Sequence, residues 1–101
     1  MGFVKVGSVG DLKPGVMKGV LAGGKPVLLV NLDGKYFAIG NVCTHMACAL
    51  SEGKLKEGKV QCPCHGSVFD VKTGSFVNGP ATKSEPSYEV KTEGNEVLVD
   101  V

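Results

Sequence analysis

Residues 43–48 read Cys-Thr-His-Met-Ala-Cys and residues 62–65 read Cys-Pro-Cys-His, and these two segments contain all four cysteines and both histidines of the chain. Sixteen residues, 46–61, separate His45 from Cys62. Thiolate and imidazole are the side chains that bind iron, zinc and copper in proteins. The concentration of every such side chain in two short segments therefore indicates a metal centre.

The four cysteines are also compatible with disulfides, buried thiols or structural zinc. They could form two disulfides, or remain thiols that pack as small hydrophobic side chains. Disulfides would suit a secreted protein, but the N-terminal residues lack the apolar core of a signal peptide, and the histidines would be unexplained. Structural zinc is the metal alternative, although Cys43-x-His45 is tighter than the usual zinc spacings and six candidate ligands would leave two unused.

The sequence around the two segments predicts an all-β chain. Fifteen of the 101 residues are glycine, and turn dipeptides alternate with short runs of β-branched residues. Asp33-Gly34 and Gly94-Asn95 are typical of the tight turns of β-hairpins. The predicted strands cover residues 4–6, 16–21, 26–32, 36–40, 59–61, 67–70, 87–92 and 96–101.

Two segments depart from this pattern of strands and tight turns. Residues 8–12 are predicted to form one helical turn capped by Ser8. Residues 41–79 combine short strands with Gly-rich loops around the cysteines and histidines. We predict that this second range is a subdomain that carries the chemistry.

Length and charge restrict the possible functions. A chain of 101 residues is expected to form one domain, residues 1–101, with a single core. Eleven Lys and Arg balance ten Asp and Glu without a run of one sign, which argues against a nucleic-acid partner. No run approaches the roughly 18 consecutive apolar residues of a membrane span. We therefore expect a soluble, cytoplasmic protein with neither a membrane nor a nucleic-acid partner.

At this point the sequence resembles the Rieske [2Fe-2S] ferredoxin family. Cys-x-His, sixteen residues and Cys-x-x-His is the Rieske ligand pattern, in which one iron takes two thiolates and the other two imidazoles. The similarity runs through CTHMACALSEGKL, CPCHGSVFDVKTG, NGPATK and YEVKTEGNEVLVDV. It implies that Cys43 and Cys62 bind one iron and that His45 and His65 bind the other. It also implies a β-sandwich base, a small cluster-binding subdomain, and a third loop that brings Pro80 beside the cluster.

The same resemblance suggests roles for four residues near the ligands. Cys48 and Cys64 correspond to cysteines that are bridged in the Rieske proteins of quinol-oxidising complexes, although the cytosol keeps most thiols reduced. Ser67 stands where those proteins have a serine that donates to a bridging sulfur. Phe69 stands where they have a tyrosine that donates to a cysteine sulfur, and phenylalanine has no hydroxyl. A reduction potential below that of the quinol-complex type is therefore expected.

Three further residues lie near the predicted ligands. Gly66 is expected to bring a backbone amide close to the cluster, and Met46 is expected to cover the exposed edge of the cluster. Gly53 is interpreted first as an ordinary turn glycine, with an amide contact to the cluster as the alternative.

The function implied by the resemblance is electron transfer by a small protein. A Rieske ferredoxin carries one electron from a reductase to an oxygenase or another acceptor. With both histidines committed as ligands, no acid, base or nucleophile remains for turnover chemistry. The partners are expected to dock near His45 and His65. One alternative is a Rieske subunit or domain of a larger nitrite-reductase-like or quinol-oxidising enzyme. Another is a structural or redox-sensing domain that uses Cys48 and Cys64 as its switch, with zinc or no metal elsewhere.

Overall fold

The computed structural model describes residues 2–42, 48–64, 66–78 and 84–101, and within these ranges the chain is built from β-strands and one short 3-10 helix, Leu50–Glu52. The strands are β1 (Phe3–Ser8), β2 (Met17–Ala22), β3 (Lys25–Leu32), β4 (Lys35–Gly40), β5 (Lys54–Lys56), β6 (Lys59–Gln61), β7 (Val68–Asp70), β8 (Phe76–Asn78), β9 (Ser87–Tyr88), β10 (Val90–Glu93) and β11 (Glu96–Asp100). The predicted all-β class is confirmed. In the described part of the chain, no helix is long and apolar enough to cross a membrane.

The strands form three antiparallel sheets. The first sheet has the order β1-β11-β10, the second β2-β3-β4-β9, and the third β5-β6-β7-β8. The chain passes from the second sheet to the first at Glu89, because β9 pairs with β4 and β10 pairs with β11. The single strand predicted over residues 87–92 is therefore two short strands in different sheets.

Strand β3 is the centre of the molecule because it is buried on both faces. Its continuous apolar run, Val27 to Val30, is at most 4% exposed at every position. Leu28 and Val30 pack in one buried cluster with Ile39, Leu50, Val60, Cys62, Phe69 and Val71. Val27 and Leu29 pack in a second cluster with Leu12, Ala22, Ala38, Val97 and Val99. A strand with apolar residues on both faces joins two layers, so the second sheet packs on the first and on the third.

Both predicted hairpin turns are present. Asp33 and Gly34 adopt φ of 53° and 90° between β3 and β4, which is the backbone that a tight hairpin turn requires. Gly94 adopts φ of 58° between β10 and β11. Two further hairpins turn at residues 23–24 and 57–58, where no hairpin was predicted.

The helical turn predicted over residues 8–12 is wrong. Ser8 is the last residue of β1, and a reverse turn follows in which the Asp11 N–H donates to the Ser8 carbonyl over 3.0 Å. The Asp11 carboxylate in turn accepts the Ser8 N–H over 2.9 Å. The side chain that stabilises the turn is therefore Asp11 rather than Ser8, and Gly10, with φ of 100°, directs the chain out of a helical path.

Strands β5 and β8 were not predicted from the sequence. Each has three residues, and β5 contains a single apolar side chain, Leu55, between two lysines. So short a segment has no recognisable period. These strands form because β6 and β7 provide hydrogen-bonding edges for them.

The third sheet begins at a close backbone contact. Gly53 has φ of −86°, so its conformation is open to any residue. A Cβ atom at this position would overlap the carbonyl oxygen of Gln61 and lie 3.2 Å from the Leu50 carbonyl oxygen. Close packing of two chain segments, rather than a special turn conformation, accounts for this glycine.

We expect Gly53→Ala to lower the free energy of unfolding by about 2 kcal/mol, because the added methyl group forces β5 away from β6. Urea or thermal unfolding of the protein measures this change. Gly7→Ala is the matched control, since a Cβ atom there would meet only the Asp11 carboxylate at an ordinary 3.5 Å. Equal loss of stability in the two variants would contradict the role of close packing at Gly53.

Candidate metal centre

The second ligand segment forms a tight turn between β6 and β7. Cys62 follows β6 directly, and its N–H donates to the Ser67 carbonyl over 2.7 Å. The Gly66 N–H donates to the Cys62 carbonyl over 3.1 Å, and Gly66 adopts φ of 80°. These bonds fix Cys62 at the end of a strand and Gly66 close to it. The Gly66 amide is used in closing this turn, and its expected contact with the cluster stays a prediction.

The side chains at this turn are removed from solvent. Cys62 is 2% exposed and Ser67 is 0% exposed. Phe69 is also fully buried, with its ring packed edge-on against Phe76 at a centroid distance of 6.3 Å. Cys62 and Phe69 belong to the same buried cluster. Position 69 therefore lies in the same buried layer as Cys62.

The first ligand segment is closed at its base by Asn41. The Asn41 carbonyl accepts the Leu50 N–H over 2.7 Å, and its side-chain oxygen accepts the Ser51 N–H over 2.8 Å. Its amide nitrogen donates to the Ser51 hydroxyl over 3.2 Å. Val42 and Ala49 form an isolated antiparallel bridge next to these bonds. One buried asparagine thus holds together the two ends of the loop that carries residues 43–48.

A disulfide between Cys48 and Cys64 joins the two ligand segments. Their Cα atoms are 6.5 Å apart, and 16 positions separate them in the sequence. The bridge confirms the pairing that the family resemblance implied. In the loop-closure model, a cross-link over such a span stabilises the fold by about 3 kcal/mol.

Three sulfur atoms lie together at this point. The Sγ atoms of Cys48, Cys62 and Cys64 all lie within 4.8 Å of one another. The two bridged sulfurs have no thiolate to offer, so the trio is not in itself a metal site. Cys62 lies outside the bridge and provides a buried soft donor, which is the ligand that an iron–sulfur cluster requires. The described part of the site therefore fits such a cluster.

Several predicted site residues lie outside the described ranges. They are Cys43, His45, Met46, His65 and Pro80. Two hydrogen bonds connect the chain before residue 79 with the chain after residue 83. The Phe76 N–H donates to the Ser84 hydroxyl over 2.9 Å, and the Glu85 N–H donates to the Gly74 carbonyl over 2.7 Å.

Glu85 is a second buried polar residue that the sequence did not reveal. Its side chain packs against Gly40, where a Cβ atom would lie 2.5 Å from a carboxylate oxygen of Glu85. Gly40 directly precedes Asn41, so the return from the third loop packs against the base of the first. A charged residue between Ser84 and Pro86 gave no signal of burial, whereas Asn41 could have been noticed as a turn-type residue next to a ligand segment.

Comparison with known proteins decides the family. Residues 2–92 match the Rieske [2Fe-2S] domain. The chain belongs to the Rieske [2Fe-2S] family. The protein is 41% identical over 101 residues to the ferredoxin component of biphenyl 2,3-dioxygenase from Rhodococcus jostii (strain RHA1), covering 100% of this chain and 94% of that protein.

Two solved structures of Rieske ferredoxins resemble this one closely. The ferredoxin of carbazole 1,9a-dioxygenase from Nocardioides aromaticivorans IC177 has a TM-score of 0.93 and 33% identity, covering 98% of this chain and 97% of that one. The complex of reduced oxygenase and oxidized ferredoxin in carbazole 1,9a-dioxygenase contains a chain with a TM-score of 0.90 and 33% identity, covering 96% of this chain and 91% of that one.

This membership settles the cofactor and the class of function. A Rieske ferredoxin holds one [2Fe-2S] cluster and carries electrons, and the relatives named above are ferredoxin components of oxygenase systems rather than catalysts. A structural zinc site and an arrangement of the four cysteines in two disulfides are thereby excluded. The redox-sensing alternative, which required zinc or no metal, is excluded with them.

We expect Asn41→Ala to lower the stability of the protein by about 1–2 kcal/mol, because the partly buried Ser51 N–H loses its acceptor. The first ligand loop should loosen, and the visible absorbance of the loaded protein should bleach faster under mild heating. Ser51→Ala removes only the bond from the Asn41 amide nitrogen and should have a smaller effect. A larger effect of Ser51→Ala than of Asn41→Ala would contradict the role given to the side-chain carbonyl group of Asn41.

Proposed function

We propose that this Rieske ferredoxin is a cytoplasmic carrier that takes single electrons from a reductase to an oxygenase acting on aromatic compounds. The observation that carries this proposal is the full-length match to a dioxygenase ferredoxin component, with 94% of that protein covered. That relative is named as the ferredoxin component of a dioxygenase, which favours a ferredoxin role over a nitrite-reductase-like or quinol-oxidising one. The solved complex of an oxygenase with a similar ferredoxin supports an oxygenase as the acceptor.

The proposed ligands are Cys43 and Cys62 on one iron and His45 and His65 on the other. Cys62 is buried at the end of β6, and its carbonyl accepts the N–H of Gly66, the residue that follows His65 in the sequence. The disulfide ties this turn to the loop that contains positions 43 and 45. When bound, a cluster of this type takes up and releases one electron at a potential of roughly −150 to +300 mV.

The surroundings of the cluster are proposed to include Ser67, Gly66, Met46 and Pro80. Ser67 is fully buried one residue after Gly66, where a hydroxyl is close to the ligand turn. A donor to a sulfur favours the electron-rich reduced state, so Ser67 raises the potential.

The proposed docking face is the end of the molecule that carries His45 and His65. Two exposed apolar side chains stand close to proposed site residues in the sequence. Val42 directly precedes Cys43 and is 42% exposed, and Val77 stands three residues before Pro80 and is 45% exposed. Exposed apolar side chains of this kind suit a transient contact between redox partners.

The range 41–79 is proposed as the cluster-binding subdomain of a single domain, residues 1–101. The third sheet, the 3-10 helix and the disulfide all fall within this range. Its inner face packs on the second sheet through the cluster of Leu28, Val30 and Phe69.

The metal content tests the ligand set. We expect the purified protein to contain two irons and two acid-labile sulfides per chain, as a [2Fe-2S] cluster requires. Cys62→Ser should lose both, because a serine hydroxyl is a poor substitute for a thiolate. Cys48→Ser should retain iron at first, since that sulfur lies in the bridge. Full iron and sulfide in the Cys62→Ser variant would refute the assignment of Cys62.

Electron transfer tests the proposed function. The biphenyl 2,3-dioxygenase system of Rhodococcus jostii, assembled without its own ferredoxin component, should regain turnover of biphenyl when this protein is added. The cluster should be reduced by the reductase and reoxidised by the oxygenase in separate half-reactions. Reduction without reoxidation would point to another acceptor and contradict the oxygenase proposal.

Position 69 tests how the potential is set. Phe69→Tyr should raise the reduction potential, because the added hydroxyl can donate to a cysteine sulfur and stabilise the reduced cluster. Phe76→Tyr is the control, since it adds the same hydroxyl to the other ring of the aromatic pair, on β8. Protein-film voltammetry measures both variants. An unchanged potential in Phe69→Tyr, with the cluster intact, would contradict the tuning role.

A further inference from the structure

Two of the three clustered sulfur atoms form a disulfide, and the third belongs to a proposed metal ligand. Cys48 and Cys64 share a disulfide, and the Sγ atom of Cys62 lies within 4.8 Å of both of their sulfurs. A proposed metal ligand therefore stands next to a bond that a thiolate can break. The binding of a cluster would hold the Cys62 sulfur away from this reaction.

A thiolate attacks one sulfur of a disulfide and displaces the other. No external oxidant or reductant is needed, because the number of disulfides and thiols stays the same. The rate depends on how easily the attacking sulfur reaches the bond and on how well the leaving sulfur carries negative charge. Within one folded chain, a separation of a few ångströms gives the attacking group a high effective concentration.

The burial of the three residues favours one direction of attack. Cys62 is buried, Cys48 is half-buried and Cys64 is exposed. Attack on Cys48 releases the Cys64 sulfur, which water can solvate as a thiolate. Attack on Cys64 would instead close a small ring between two residues that are only two positions apart. The product of attack on Cys48 still joins the two ligand loops, as the original bridge does.

We propose that Cys62 is a thiol–disulfide exchange site that locks the chain whenever it lacks its cluster. The Cys62 thiol gives up its proton as its sulfur bonds to Cys48. The Cys48–Cys64 bond breaks, and the Cys64 sulfur leaves and takes up a proton. This inference rests on the proposed role of Cys62 as a cluster ligand.

The exchange has a consequence for assembly of the protein. Once the Cys62 sulfur is in a disulfide, it cannot bind iron. A chain with the Cys48–Cys62 disulfide therefore cannot take up a cluster. A small thiol or a protein dithiol reverses the lock by reducing the Cys48–Cys62 bond. Loading of the cluster would then depend on the thiol supply of the compartment, while the loaded protein keeps the Cys48–Cys64 bridge.

Differential alkylation after removal of the cluster tests the proposal. The loaded, full-length protein is treated with an iron chelator under argon and without added thiol, then denatured in iodoacetamide, and the labelled cysteines are located by fragmentation mass spectrometry. Label is expected to shift from Cys62 to Cys64, with Cys62 recovered in a disulfide with Cys48. Label that remains on Cys62, with Cys64 still bridged to Cys48, overturns the proposal.

Two variants identify the attacking sulfur. Cys62→Ser removes the proposed nucleophile, so Cys64 should stay unlabelled. Cys43→Ser removes the other proposed ligand thiol; this variant is labelled as purified, without a cluster, and its Cys64 should be labelled as in the cluster-free native protein. Exchange that persists in Cys62→Ser and disappears in Cys43→Ser would overturn the assignment to Cys62.

A second comparison separates native proximity from unfolding. The shift of label should be faster in buffer than in concentrated urea, because the folded chain holds the three sulfurs together. Circular dichroism follows whether the β-sheets survive removal of the cluster. A faster shift in urea would overturn the proposal, since it would show that exchange needs an unfolded chain.

Cluster insertion provides a readout that is independent of labelling. The cluster-free protein, supplied with iron and sulfide but no thiol, should regain little visible absorbance, and added thiol should restore it. Cys48→Ser/Cys64→Ser has no bridge to exchange and should load without thiol. Equal loading of the native protein with and without thiol overturns the lock. Full iron and sulfide in the Cys62→Ser variant would instead refute Cys62 as a ligand, which separates failure of the proposed ligand set from failure of the exchange.

Discussion

A single covalent bond, between Cys48 and Cys64, holds the two ligand segments of this Rieske ferredoxin at one point. The hydrogen bonds at the base of each segment shape that segment alone, and the bridge is needed to hold the two segments next to each other. Asn41 closes one loop and the Cys62–Ser67 backbone bond closes the other, but neither brings the loops to each other. The bridge does so, and it places Cys62 within reach of the same point.

The ligand segments are supported by packing of the third sheet on the second sheet, whose central strand β3 is buried on both faces. Leu28 and Val30 on one face of β3 pack beneath the third sheet, while Val27 and Leu29 on the other face pack on the first sheet. Burial of these side chains is the main favourable term available to so small a protein. The cluster-bearing sheet therefore shares a core with the rest of the molecule.

Most of the buried polar residues lie close to the proposed ligands. Among the described residues, Asn31, Asn41, Ser67 and Glu85 are the polar or charged side chains in the buried class. Asn31 stabilises the hairpin at Gly34, whereas the other three lie at the bases of the ligand loops or next to a ligand. Burial of a polar group is unfavourable without hydrogen bonds, so such residues occupy positions where the backbone needs a partner.

The sequence by itself determined the all-β class, the hairpins at Asp33-Gly34 and Gly94-Asn95, and the family of the chain, because these depend on local spacing and on residue types with few alternatives. Tertiary structure decided the rest. Strands β5 and β8 exist only through their pairing with β6 and β7, and the turn at Ser8 is stabilised by Asp11 instead of a helical cap. The roles of Asn41 and Glu85 depend on contacts with distant segments, which no local pattern encodes.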